Sequence, residues 1–336
     1  MTTDRPARIR RRLRAAMPVR RTRTMVAVVL TVALGLFAGG LWISSDDTPP
    51  YRGGPVSIAT GVPSGVYFLY GKLLAPRLAA DLDVDVTVQD SSGSLDNLDR
   101  IRTGKATLGI ATADAVASLP QDQRDQLRAI ARLYDDYVQL VVPAGSPIRT
   151  VADLRGKRVG IGPPGSGVEL IARRVLATAG LDPDRDLVPE RAGIGDAAEM
   201  LANGSVDAFF WSGGLPTDAV NLLAQRVDLR FVDLGEVAKT LRDQYQQVYR
   251  EAVIPADIYK NVAKVATVAV PNLLVTRADA DTGLIRRVTG TVMGGREALG
   301  AKVHAAQLVD PRTAIFTYPP LMLHEGARLW YRSAKP

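Results

Sequence analysis

The chain has 336 residues, 46% hydrophobic and 23% charged, which supports a buried core and excludes a disordered chain. It has no cysteine and two histidines, His304 and His324, which excludes disulfides, thiolate chemistry and a lipid-modified cysteine, and argues against a histidine-built metal centre. The formal net charge of +7 does not mark a nucleic-acid surface, because nine arginines and one aspartate within residues 1–24 contribute +8 and the rest sums to −1.

That basic leader, 1–24, is followed by residues 25–43, MVAVVLTVALGLFAGGLWI, which carry no charge. As a helix this segment rises roughly 28 Å, about the thickness of a bilayer's hydrocarbon core. Positive residues stay on the cytoplasmic side, so everything after Ser44 is expected outside the cytoplasm, with Trp42 at the outer interface. The length suits an uncleaved signal-anchor and a single-pass cell-membrane protein. A cleaved signal peptide and a secreted product are the alternative, with Leu36-Phe37-Ala38 as a poor cleavage site. Residues 44–55, SSDDTPPYRGGP, read as a linker.

From Val56 onward, short β-type runs alternate with helical stretches. Strands are expected at 56–60, 84–89, 107–111, 137–142, 158–161, 206–211, 229–232, 265–270 and 273–276. Helices are expected at 67–81, 95–103, 168–179, 196–203, 217–224, 237–249, 284–294 and 318–331, with Pro76 kinking or ending the first. Such alternation implies an α/β fold with a largely parallel sheet. Two α/β lobes with a cleft between them fit the element count. The runs 137–142 and 265–270 are the expected crossings, giving lobe 1 as 56–142 plus 264–336 and lobe 2 as 143–263.

Three Gly/Ser-rich turns fall at strand-to-helix junctions: Thr60-Gly61-Val62-Pro63-Ser64-Gly65-Val66-Tyr67, Ser91-Ser92-Gly93-Ser94-Leu95-Asp96-Asn97 and Gly162-Pro163-Pro164-Gly165-Ser166-Gly167. Loops at the carboxyl ends of α/β strands are where ligands sit, and free amides at a helix start favour an anion. The same residues also serve as plain caps and turns. None is a nucleotide loop: the third lacks a Lys-Ser/Thr ending, and its prolines remove donors. No catalytic residue, cofactor or metal ligand emerges, so the chain does not read as an enzyme. Aromatic residues near these junctions, among them Tyr67, Tyr134 and Trp211, either wall a cleft or pack the core. Asp114 either meets a ligand amine or caps a helix.

The ordered series Ile58-Ala59-Thr60-Gly61, Gly65-Val66-Tyr67, Gly93-Ser94, Asn97, Leu108-Gly109-Ile110-Ala111, Asp114, Ala129-Ile130-Ala131-Arg132-Leu133-Tyr134, Asp153-Leu154-Arg155-Gly156-Lys157-Arg158-Val159, Gly165-Ser166-Gly167, Asp207-Ala208-Phe209-Phe210 and His324-Glu325-Gly326-Ala327 resembles the TAXI family. These are the solute receptors of tripartite ATP-independent periplasmic (TRAP) transporters, and the resemblance spans about 56–332. It implies a type II periplasmic-binding-protein fold that closes on a small carboxylate or amino acid, such as glutamate or glutamine, and hands it to a membrane permease. On the resemblance, Ser64, Gly65 and Tyr67 match the first ligand loop, Ser94, Asn97 and Asp114 the polar positions of the same lobe, and Gly165, Ser166 and Gly167 the turn of the second lobe. Val62, Val66 and Phe68 stand where the family usually has a glycine, a threonine and a tyrosine. Losing a buried hydrogen-bonding partner costs about 1–3 kcal/mol, so glutamate does not transfer directly. A membrane-tethered sensing module acting on a separate signalling partner is the alternative function.

Overall fold

The computed structural model describes residues 51, 53–245 and 248–334. The basic leader, the apolar segment 25–43 and most of the linker lie outside the described residues. Among the described residues no helix is long and apolar enough to cross a membrane.

Ten strands form one sheet: β1 (Val56–Ala59), β2 (Val86–Gln89), β3 (Leu108–Thr112), β4 (Leu127–Pro143), β5 (Arg158–Gly160), β6 (Val188–Glu190), β7 (Ala208–Gly213), β8 (Leu229–Phe231), β9 (Arg250–Ile254) and β10 (Val265–Arg277). Their order is β2-β1-β3-β10-β4-β7-β5-β6, with β8 also on β4 and β9 on β10. Strands β2, β1 and β3 are mutually parallel, as are β7, β5 and β6. Between these two blocks run the long strands β4 and β10, antiparallel to each other and to the blocks they join. The expected parallel character therefore holds within each block but not at the centre.

The register places the site. Thr112, the last residue of β3, pairs with Asn272, and Gly213, the last residue of β7, pairs with Tyr137. Asp136 pairs with Val270 on the central ribbon. The two parallel blocks run in opposite senses, so their carboxyl ends arrive at one level of the β4–β10 pair from opposite directions.

The helices cover this sheet by ordinary amphipathic logic. Helix α1 (Val66–Leu82) buries Tyr70, Leu74, Leu78 and Leu82, one residue every four. The other long helices are α2 (Ser94–Arg102), α3 (Ala113–Ser118), α4 (Gly167–Thr178), α5 (Ile194–Ala202), α6 (Asp218–Ala224), α7 (Gly235–Gln244), α8 (Thr282–Gly294) and α9 (Glu325–Ser333). Helix α4 buries Val168, Ile171, Ala172, Val175 and Leu176, the full i, i+3, i+4, i+7, i+8 stripe. One core joins Tyr70, Leu74 and Leu78 to Ile110, Ile130, Ile285 and Val288. A second runs from Leu98 and Ile101 through Leu140 to Val159, Ile171 and Phe209, so it spans both blocks.

Several elements differ from the sequence reading for identifiable reasons. Pro76 does not end α1: it lies on the exposed face, and the carbonyl it strands belongs to exposed Lys72, which water can satisfy. Strand β4 starts at Leu127 rather than 137, because its first residues pair with β10 from Arg277 to Leu273, an extension that Arg128, Arg132, Asp135 and Asp136 mask in the sequence. Strand β10 is continuous through Pro271, and a register irregularity between Pro271 and Leu273 absorbs the missing donor. The helix expected from 318 starts only at Glu325, since Pro319 and Pro320 supply no amide. His324 caps it by accepting from Gly326 N at 3.1 Å, and a Cβ at Gly326 would lie 2.3 Å from Thr282 O, so this glycine lets α9 cross α8 closely. Strands β6 and β9 were not expected at all.

Leu140 is fully buried at the centre of β4, where the second core passes from one block to the other. Leu140→Ala is expected to cost about 2–5 kcal/mol, read as a lower denaturant midpoint at an unchanged m-value.

Candidate functional site

Where the carboxyl ends of the two blocks meet, the chain leaves a crevice. Its walls come from the turn after β1 with the start of α1 (Gly61, Val62, Gly65, Val66, Tyr67), the start of α2 with the end of β3 (Gly93, Ser94, Thr112), and the start of α4 (Ser166, Gly167, Val168). The end of β7 (Trp211, Ser212, Gly213) and Asp136 of β4 complete it. The void measures about 50 Å3, room for only a few water molecules at roughly 10–15 Å3 each. Its walls already touch: Leu95 N donates to Gly165 O at 3.2 Å, joining the second turn to the third. Gly93, at φ +123°, brings that turn within 3.4 Å (measured to an added Cβ) of Ser166 Cα, and a Cβ on Gly167 would lie 2.9 Å from Ser94 Oγ. This is a closed arrangement that depends on glycine at the contact.

Three helix starts face the void. Helices α1 and α2 begin after Gly65 and Gly93, neither of which offers a side-chain cap. Helix α4 is capped reciprocally: Ser166 Oγ accepts from Glu169 N at 3.0 Å, and Glu169 Oε2 accepts from Gly165 N at 3.0 Å. Amides in a first turn have no intrahelical acceptor and sit at the positive end of the helix dipole, an arrangement that suits an anionic group.

Against these stands one charged side chain. Asp136 is 2% exposed, and Asn272 Nδ2 donates to its Oδ1 at 2.6 Å. The Tyr67 hydroxyl donates to Asn272 Oδ1, so Tyr67 and Asn272 orient each other beside the carboxylate. Burial is the main cause that pushes the Asp136 carboxyl up to about 7, with the Asn272 bond opposing it, Asp135 and Asp114 adding to it, and the Tyr67 hydroxyl opposing it more weakly. Burial, and next the Asp136 charge, push the Tyr67 hydroxyl well above its usual range. Ser212 Oγ is buried in the same wall with no hydrogen-bond partner among the described residues.

Of the residues singled out in the sequence, Gly65, Tyr67, Ser94, Ser166, Gly167 and Trp211 line the crevice together. Trp211 is held by its indole N–H donating to Thr217 Oγ1 at 3.0 Å. Ser64 is exposed outside it. Asn97 sits behind the wall, donating to Thr60 O and to Ile110 O (2.7 Å) while accepting from Ser91 Oγ at 2.7 Å. Asp114 is buried away from the void, accepting from Tyr249 Oη at 2.7 Å and Ala115 N at 2.8 Å, with Arg174 at 3.7 Å. Tyr134 packs on Tyr70 in the first core at 6.1 Å between ring centroids, and Gly165 is engaged by Glu169. The sequence reading did not single out Asp136, Thr112 or Ser212. Asp135-Asp136 resembles a turn signal, and only the strand alternation on either side could have shown Asp136 to be inside.

Fold and site together define an α/β protein with a crevice at the opposed carboxyl ends of two parallel strand blocks. Residues 58–334 match the model of the NMT1-like family, and the chain belongs to that family. It is similar to solved structures including the periplasmic aliphatic sulphonate-binding protein SsuA of Escherichia coli (15% identity, 85% of this chain and 84% of that one, TM-score 0.44). Others are a Xanthomonas citri protein bound to ATP (13%, 84% and 95%, 0.48) and an ancestral arginine-binding protein bound to arginine (16%, 77% and 100%, 0.47).

Two stability measurements check this geometry. Asn97→Ala removes the amide donor that the Thr60 and Ile110 carbonyls share and should cost about 1–3 kcal/mol in chemical unfolding. Asp136 holds a proton more tightly folded (about 7) than unfolded (roughly 3.9), so stability should fall as pH rises from about 4 to 7. The penalty above pH 7 is of order 4 kcal/mol, and Asp136→Asn should raise Tm at pH 8 while flattening the acid side of the profile.

Proposed function

We propose that the protein is an extracytoplasmic solute-binding receptor that captures a small carboxylate or amino acid and performs no bond-making. The observation that carries this reading is the meeting of three Gly/Ser-rich helix starts and one buried acid at the level where both strand blocks end. Residues 56–142 plus 264–336 act as lobe 1 and 143–263 as lobe 2, with the long strands β4 and β10 as the flexible crossing. The solute enters with the lobes apart, its carboxylate settles on the starts of α1 and α4, and closure brings Gly93 and Ser94 against Ser166 and Gly167. A ligand drives that shift only through its higher affinity for the closed form.

The ordered TAXI-like series supports delivery of the solute to a TRAP-type permease, and the leader with residues 25–43 supports export and a single membrane tether. No observation favours the sensing alternative over this one.

Thermal unfolding of the purified chain against a panel of amino acids and carboxylates tests the reading. A true ligand at about 100 times its Kd contributes roughly 2.7 kcal/mol and should raise Tm by about 5 °C or more, whereas a panel with no shift overturns it. Gly167→Ala, whose methyl would meet Ser94 Oγ at 2.9 Å, should weaken binding at least tenfold by keeping the turns apart, read by titration against the wild type.

A further inference from the structure

We propose that the crevice selects its solute through a protonated amine seated on Asp136, so that the ligand is a small zwitterion or ammonium compound without a second acidic group. This rests on the reading of the protein as a solute receptor and narrows its ligand class.

Charge balance carries the argument. Asp136 is the sole charged side chain among the described residues that line the crevice, and no lysine or arginine is among them. The nearby cation Arg174 is committed elsewhere: it donates to Tyr249 Oη at 2.7 Å, pairs with Asp114 and lies 4.2 Å over the Tyr245 ring. A buried carboxylate left without a counter-charge is destabilising by several kcal/mol, so a site that keeps one has a use for it or a partner that arrives. Asn272 donates to Oδ1, and the Tyr67 hydroxyl, which donates to Asn272, also stands beside the carboxylate, so the groups bonding to Asp136 are neutral and none brings a positive charge. An ammonium group supplies that charge.

The rest of the crevice carries no cationic side chain but is lined by the starts of α1, α2 and α4, whose dipoles present their positive ends there, although Leu95 N and Glu169 N are already spent on Gly165 O and Ser166 Oγ. A zwitterion satisfies both poles at once. A second carboxylate finds no cation: beside the helix starts the wall offers the apolar Val62, Val66, Val168 and Trp211 and the neutral hydroxyls of Thr112 and Ser212, none of which balances a second negative charge. Ser212 Oγ, buried and unpartnered, is placed to take one further hydrogen bond from the ligand. The groups that face Asp136 from the surrounding elements are Asp135 on its own strand, Tyr67 on α1, Asp114 on α3, Tyr134 on β4 and Asn272 on β10. None of them carries a positive charge that could stand in for the ammonium.

Titration calorimetry on the full chain tests this with amino acids, their 2-hydroxy-acid counterparts, simple amines and dicarboxylates, at pH 8.0 and about pH 5.5. At least one amine-bearing compound should bind at least tenfold more tightly than its hydroxy counterpart, with dicarboxylates and glutamate weaker still. Since Asp136 in the free protein is pushed up to about 7, wild-type affinity for the amine should fall about tenfold or more on going to pH 5.5. Asp136→Asn should lose at least tenfold for the amine and little for the hydroxy acid, with its unfolding transition confirming that it folds. Equal or tighter binding of the hydroxy acid or a dicarboxylate, or an amine affinity insensitive to both pH and Asp136→Asn, overturns the inference and leaves the receptor reading intact. Absence of binding by every class overturns both.

Discussion

Asp136 and Asn272 lie on neighbouring antiparallel strands, and the pairing of those strands decides where everything else in the site can be. Thr112 closes β3 opposite Asn272, and Gly213 closes β7 opposite Tyr137. Because β4 and β10 run antiparallel, the blocks they carry point their carboxyl ends toward each other, and three helix starts follow within a few residues of those ends. A slip of one residue in the β4–β10 register would turn Asp136 to the other face of the sheet. The register is protected on both sides by apolar burial, since Ile130, Ala131, Val138 and Leu140 of β4 and Val268, Leu273 and Leu274 of β10 are all nearly inaccessible.

Two buried aspartates near this junction differ in how far their partners compensate for burial. Asp114 is 1% exposed, but it accepts from a tyrosine hydroxyl and a backbone amide and has an arginine nearby. Its neighbours join α3 to α4 and to the chain before β9, and nothing about it is left over. Asp136 is buried to the same degree and receives one amide hydrogen bond from Asn272. Desolvation there outweighs that bond, which is why its carboxyl rises to about 7 rather than falling. The molecule gives up stability at this position, a pattern expected where a binding partner completes the electrostatics.

Much of the architecture is legible in the residues themselves. Helices such as α4 carried a clean 3.6-residue stripe, and the Gly/Ser-rich turns at 60–67, 91–97 and 162–167 stood at strand-to-helix junctions, so the crevice walls were visible as motifs. What stayed hidden was set by long-range pairing. Four charged residues, Arg128, Arg132, Asp135 and Asp136, break the apolar pattern in the first ten residues of β4, yet Arg132 and Asp135 bond each other on the partly exposed side while Ala131, Leu133 and Tyr134 are buried. Asn97 and Asp114 drew attention as polar residues in the right loops, yet their side chains are spent on the Thr60 and Ile110 carbonyls and on Tyr249. Residue type and position could not reveal that, because the partners lie up to 135 residues away.

The most direct test of the account is a crystal structure of the protein with the solute it retains on purification or binds in titration. The account predicts that molecule between the starts of α1, α2 and α4, with an amine nitrogen about 3 Å from an Asp136 carboxylate oxygen and its acid group on the first-turn amides. A solute bound away from this crevice, or one bound in it with a carboxylate turned toward Asp136, would contradict it.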